Sequence, residues 1–135
     1  MGLTVVPIFA PSPADLDRAF AEMEANECEA LFVLINPAHN GPAIPSRATK
    51  AKLPAVYPLR NYVEDGGLAS YGSDHKEIAR RAAYLVDRIF KGTRPADLPV
   101  EEPVTFELAV NLKAAAAIGL TIPEAVLARA DKVIE

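Results

Sequence analysis

The chain has 135 residues, half of them hydrophobic and 24% charged, which fits one globular domain and excludes a disordered tail or a fibre. Fourteen basic residues against eighteen acidic ones give a net charge of −4, with no dense Lys/Arg cluster, so nucleic acid is excluded as a partner. A single cysteine cannot form an internal disulfide, and no Cys/His spacing resembles a zinc site, so packing alone must hold the fold and neither metal nor cofactor is expected.

The first residues lack a basic segment followed by a long apolar run, so no signal peptide is read in this chain. The apolar stretches are far shorter than the roughly 20 residues that span a bilayer, which predicts a soluble chain. Leu3 to Phe9 is β-branched and apolar and predicts a buried strand. Ser12 is placed to cap a helix that has Pro13 at its first position, with Leu16, Ala19, Phe20 and Met23 on one buried face. Ala30 to Ile35 predicts a second strand, closed by Asn36-Pro37 and the turn residues Asn40-Gly41-Pro42. A short helix over Ile44 to Ala51 leads to a third strand at Leu53 to Pro58, and Gly66-Gly67 introduces a brief fourth at Leu68 to Tyr71.

From Asp74 to Lys91 runs the strongest helical pattern, with Ile78, Ala82, Leu85, Val86 and Ile89 on one face and Gly92 as its stop. Thr93 to Pro103 is an extended connector with three prolines. Val104, Phe106, Leu108 and Val110 then alternate with polar positions, which predicts a half-exposed strand at a sheet edge or in antiparallel pairing. Two short helices close the chain, one near Leu112 to Ile118 ended by Gly119, the other from Pro123 to about Asp131. Repeated apolar strands alternating with helices predict an α/β fold: an open parallel-sheet, three-layer sandwich forming a single lobe over 1–135, with 93–135 a C-terminal extension that packs across it or swaps.

In such sheets ligands bind beyond the carboxyl ends of the strands. The loops to weigh are Ala10 to Ser12, Asn36 to Gly41, Leu59 to Tyr62 and Tyr71 to His75, with Asn36, His39, Asn40, Arg60, Asn61, Tyr62, Tyr71, Ser73, Asp74 and His75 as polar candidates. Gly67-Leu68-Ala69-Ser70-Tyr71-Gly72 approaches the G-x-S-x-G of a hydrolase elbow but is off by one residue, and Asp74 and His75 are badly placed to serve Ser70. Ser70 therefore reads as a strand residue, and Ser73 or Asp74 as the cap of the long helix. His39 reads as a solvated loop residue because no second metal ligand stands at useful spacing. Cys28 reads as a small hydrophobe at a helix-to-strand junction. Tyr71, where a strand leaves the sheet, is the tyrosine most suited to stack on a ligand.

Several strings carry a family resemblance: Leu53-Pro54-Ala55-Val56-Tyr57, Tyr62 to Gly72, Val86 to Glu101, Phe106 to Lys113, and Gly119 through Pro123 to Asp131. Together they resemble the ABC-transporter substrate-binding proteins of the tryptophan/tyrosine type, which have the type I periplasmic-binding fold. The resemblance covers nearly the whole chain but corresponds to the later half of a family member. It implies one lobe of a two-lobed, non-catalytic protein that clasps an amino acid or similar small solute and delivers it to an ABC permease, in the periplasm; with no signal peptide read here, the cytoplasm stays open. By position it implies ligand contacts from Asn36, where relatives carry an acidic or other polar residue, from Tyr71 and Asp74, and from Arg60 and Asn61 after the third strand. The rival readings are a stand-alone sensor or interaction domain derived from this fold and, behind it, a small α/β hydrolase. Half a cleft should bind solute weakly. Its uncovered apolar surface predicts a homodimer, formed by pairing the strand from Val104 to Val110 or by exchanging the C-terminal segment.

Overall fold

Ser12 opens the first helical turn. Its amide and hydroxyl both donate to the Asp15 carboxylate, at 3.0 and 2.7 Å, and these bonds hold the Asp15 carboxyl below its ordinary range. A single 3₁₀ turn at Pro13–Asp15 then runs into α1, Leu16–Ala25. The anticipated stripe faces inward, with Leu16 and Ala19 buried. The structure is a computed structural model and describes residues 2–39 and 41–135; the candidate Asn40 lies outside them.

The remaining elements follow in order: β1 Leu31–Phe32, α2 Ala43–Lys50, β2 Ala55–Tyr57, α3 Arg60–Glu64, β3 Ala69–Ser73, α4 His75–Phe90, β4 Phe106–Asn111, α5 Leu112–Ile118, α6 Glu124–Leu127 and β5 Lys132–Ile134. They form one α/β sheet in the order β1-β2-β3-β4-β5. β1, β2 and β3 are mutually parallel, β4 is antiparallel to β3, and β5 is parallel to β4. The α/β, mostly parallel architecture read from the sequence is the one observed.

Register sorts the side chains into two faces. Val33, Ala55 and Tyr57 point to one side, where they pack with Leu16 of α1, Ile44 and Ala48 of α2 and Tyr62 of α3 in a single core cluster. Ser70 and Ala109, in register with Tyr57, continue that face. The opposite face carries Phe32, Val56, Ala69 and Val110 in one row, with Tyr71 opposite Leu108 and Ser73 opposite Phe106. Much of this second face is open: Phe32 is 68%, Tyr71 58% and Phe106 49% exposed.

Four expectations need correction. Leu3 to Phe9 forms no strand, and Leu3, Val5 and Phe9 are largely exposed; a strand needs a hydrogen-bonded neighbour, and this segment meets none. Of the two placements expected for the strand near Val104 to Val110, antiparallel pairing holds, against β3, and the edge does not, because β4 lies between β3 and β5, which closes the strand-pairing route to a dimer. The helix expected from Pro123 to about Asp131 ends at Leu127, and β5 follows beyond it, with the Asp131 amide donating to the Leu108 carbonyl at 2.9 Å and the Leu108 amide donating to the Asp131 carboxylate at 2.8 Å. Arg60–Glu64 is helical where the sequence suggested a loop.

α4 matches its predicted span and Gly92 adopts the left-handed conformation expected beyond its end, at φ 97°. Yet none of the sixteen residues of α4 is buried. Arg81, stacked 4.3 Å over the Tyr84 ring, is paired with Glu101 of the connector, and a shallow groove of about 500 Å³ runs between α4 and residues 101–105.

Candidate functional site

Because β1, β2 and β3 are parallel, the loops at their carboxyl ends share one end of the sheet. Asn36 follows β1, Arg60 and Asn61 open α3 just after β2, and Asp74 follows β3. Topology thus gathers the predicted polar candidates at one end, while their side chains differ in what they are free to do.

Asn36 is half-buried. Its Oδ1 accepts the Ala38 amide at 3.0 Å and its carbonyl accepts the His39 amide at 3.0 Å, a side-chain-stabilised turn. Among the described residues its Nδ2 donates to no partner, which leaves an amide donor at the strand end. Arg60 is already engaged: its guanidinium reaches Glu107 at 2.7 Å and Glu64 at 2.9 Å, and the bond to Glu107 above all holds its charged form. These two bonds use Nε and one hydrogen of Nη1, which leaves further guanidinium N–H groups for a solute carboxylate. Asn61 is exposed on α3.

Asp74 caps α4, its Oδ1 accepting the amides of Lys76 at 2.8 Å and Glu77 at 3.4 Å, as the sequence suggested. Both bonds use the same oxygen. Tyr71 lies on the open face of β3 and stacks on Phe106 of β4, with centroids 5.7 Å apart and planes 16° from parallel. Phe106 was not among the sequence candidates. The antiparallel register that sets Ser73 opposite Phe106 makes it a neighbour of Tyr71, and one sequence carries no signal for that register.

His39 is the other residue misread. It is 7% exposed, not solvated: its Nε2 lies 2.5 Å from the Ala10 carbonyl, and its own carbonyl accepts the Tyr62 hydroxyl at 2.9 Å. Ser70 is buried on the core face, His75 is exposed, and Asp74 is occupied by its cap, so the near-match to a hydrolase elbow brings no triad together. Cys28 is partly buried beside a groove of about 690 Å³ between α1 and α2. Among the described residues no three His, Cys, Asp or Glu side chains gather so as to hold a metal ion, and no helix is long and apolar enough to cross a membrane.

The site is therefore an aromatic wall beside polar strand ends, open to solvent on one side. A family model described as ABC transporter substrate binding protein matches residues 1–134. The chain belongs to that family. Among solved structures, a conserved domain protein from Vibrio cholerae O1 biovar eltor is 34% identical, with a TM-score of 0.81, over 92% of this chain and 42% of that one. An ABC domain from Streptococcus pneumonia, solved in complex with L-Trp, is 32% identical with a TM-score of 0.85, over 98% of this chain and 46% of its own. A substrate binding protein with adhesive properties from Clostridium difficile, in a ligand-free open form, shares the fold at 19% identity and a TM-score of 0.64, over 91% of this chain and 41% of that one. No curated protein matches. The chain spans less than half the length of these solved chains, in line with a part of a longer family member.

Proposed function

We propose that this chain is the second α/β lobe of an ABC importer's solute-binding protein, working by binding and not by catalysis, outside the cytoplasm, and delivering its solute to a permease. The observation that carries the reading is the stacked pair Tyr71 and Phe106 on an open sheet face, at the end where Asn36 presents an amide unpaired among the described residues, in a chain of substrate-binding ancestry. An amino acid fits this arrangement: its side chain lies against the aromatic wall and its polar backbone meets the strand-end groups. The relative holding L-Trp makes tryptophan the first probe. Tyr71 and Asn36 are the principal contacts in this reading, with Asp74 and Asn61 at the rim and Arg60 offering the guanidinium N–H groups that its two carboxylate partners leave unused.

The unburied apolar stripe of α4 and the exposed segment from Leu3 to Phe9 are read the same way. They are surface met by the other half of a two-lobed protein or, where that half is missing, by a second copy of this chain. The test is a titration of the chain with L-tryptophan followed by amide chemical shifts. Tyr71→Ala and Phe106→Ala should each weaken binding about five- to tenfold, the scale of one aromatic contact. Unaltered binding in both variants would overturn the placement of the site.

A further inference from the structure

The imidazole of His39 ties together three segments distant in sequence. A carbonyl can only accept, so the short contact to Ala10 fixes the hydrogen on Nε2. Nδ1 is buried and has no partner among the described residues. A leucine would fill similar space without burying an unsatisfied nitrogen. What the imidazole adds is the bond to Ala10, made from the same residue whose carbonyl takes the Tyr62 hydroxyl.

That residue also ends the turn of Asn36. The His39 amide closes onto the Asn36 carbonyl, and the Ala38 amide onto Asn36 Oδ1. The direction in which Asn36 Nδ2 points is set by this turn. The turn in turn is fastened at His39, to the segment before α1 on one side and to α3 on the other. We propose that His39 is a positioning residue of the solute site, a latch that holds the Asn36 loop in its binding geometry without touching solute. The inference rests on the reading of Asn36 as a solute contact.

The test compares His39→Leu, which removes the donor, with His39→Gln, whose side-chain amide can again reach the Ala10 carbonyl, and with Tyr62→Phe, which cuts the second tie. Hydrogen exchange is followed at the amides of Ala38 and His39 and, as an internal standard, at those of β2 and β3. His39→Leu should speed exchange in the loop about tenfold while the strands keep their protection. His39→Gln should restore it, and Tyr62→Phe should give a smaller acceleration confined to the same loop. L-tryptophan shifts at Asn36 should weaken in His39→Leu and return in His39→Gln. Unchanged loop exchange in His39→Leu overturns the proposal, as does equal acceleration of loop and strands, which would make His39 a plain core residue. Should His39→Leu fail to fold, unchanged loop exchange in Tyr62→Phe overturns it instead. If the unaltered chain shows no shift with L-tryptophan or other amino acids, the solute reading fails, and the exchange data alone still decide whether His39 sets the loop.

Discussion

Tyr57 is fully buried, stacked on Tyr62 with centroids 5.2 Å apart, and its hydroxyl has no hydrogen-bond partner among the described residues. Burial, with a smaller contribution from Tyr62, pushes its ionisation far above the ordinary phenol range, and burial also raises that of Tyr62. A raised folded-state value means that both phenols contribute stability below about pH 10, where the unfolded chain keeps its tyrosines neutral, and that this contribution is lost as pH rises further. Tyr57→Phe removes an orphaned hydroxyl, so stability at neutral pH should be unchanged or slightly higher. Its loss of stability above about pH 10 should be shallower than in the parent, as urea melts at pH 8 and above pH 10 would show. Asp15 behaves in the opposite sense: its carboxyl is held low by Ser12, so its contribution is present at neutral pH and is lost as pH falls below about 4. The Ser12 amide resonance should report that loss, and Ser12→Ala, which keeps the amide but loses the hydroxyl, should move the midpoint of that titration up toward the ordinary carboxyl range. The Ser12 cap was legible in the sequence, whereas the burial of the two tyrosines was not, because it depends on contacts that one sequence does not encode as a pattern.

At the scale of elements, periodicity and punctuation spoke clearly where local rules decide. α4 runs over the predicted span, α5 ends at Gly119 with φ 77°, and β3 follows Gly66-Gly67. They failed where a partner decides: Leu3 to Phe9 is strand-like in composition yet unpaired, and β5 forms because Asp131 and its neighbours bond to β4. Two joints between elements give sharp tests. Buried Asn111 accepts the Ala114 amide at 3.0 Å at the start of α5 and donates to the Val63 carbonyl at 3.2 Å in α3. Asn111→Ala should cost about 2 kcal/mol, from a lost cap and a lost buried hydrogen bond to a Val63 carbonyl that still accepts the Gly66 amide, measured by chemical denaturation. At Gly72 a side-chain carbon would overlap the Pro58 carbonyl oxygen, so β2 and β3 approach too closely there for alanine. Gly72→Ala should destabilise by about 1–3 kcal/mol and shift the amides of the loop after β2.

For the whole molecule, the family was legible in strings spread along the chain, and the candidate site only in part. The strand-end rule set Asn36, Arg60 and Asp74 beyond the carboxyl ends of β1, β2 and β3, where they lie, although Arg60 opens a helix and not a loop, whereas Phe106 and His39 came from register and burial. The unburied stripe of α4 predicts association: sedimentation at tens of micromolar should give a mass near twice 14.5 kDa, and Leu85→Glu should return the chain to monomer. A monomer throughout would mean that α4 tolerates its exposure alone. The central claim, that this chain is an open half-cleft for an amino acid, is tested most directly by titrating it with L-tryptophan while following every backbone amide. The account predicts shifts concentrated at Asn36, Tyr71, Gly72 and Phe106, with an affinity weaker than about 1 μM, short of −8 kcal/mol. Shifts centred on the groove between α1 and α2, or no shifts with any amino acid at millimolar concentration, would contradict it.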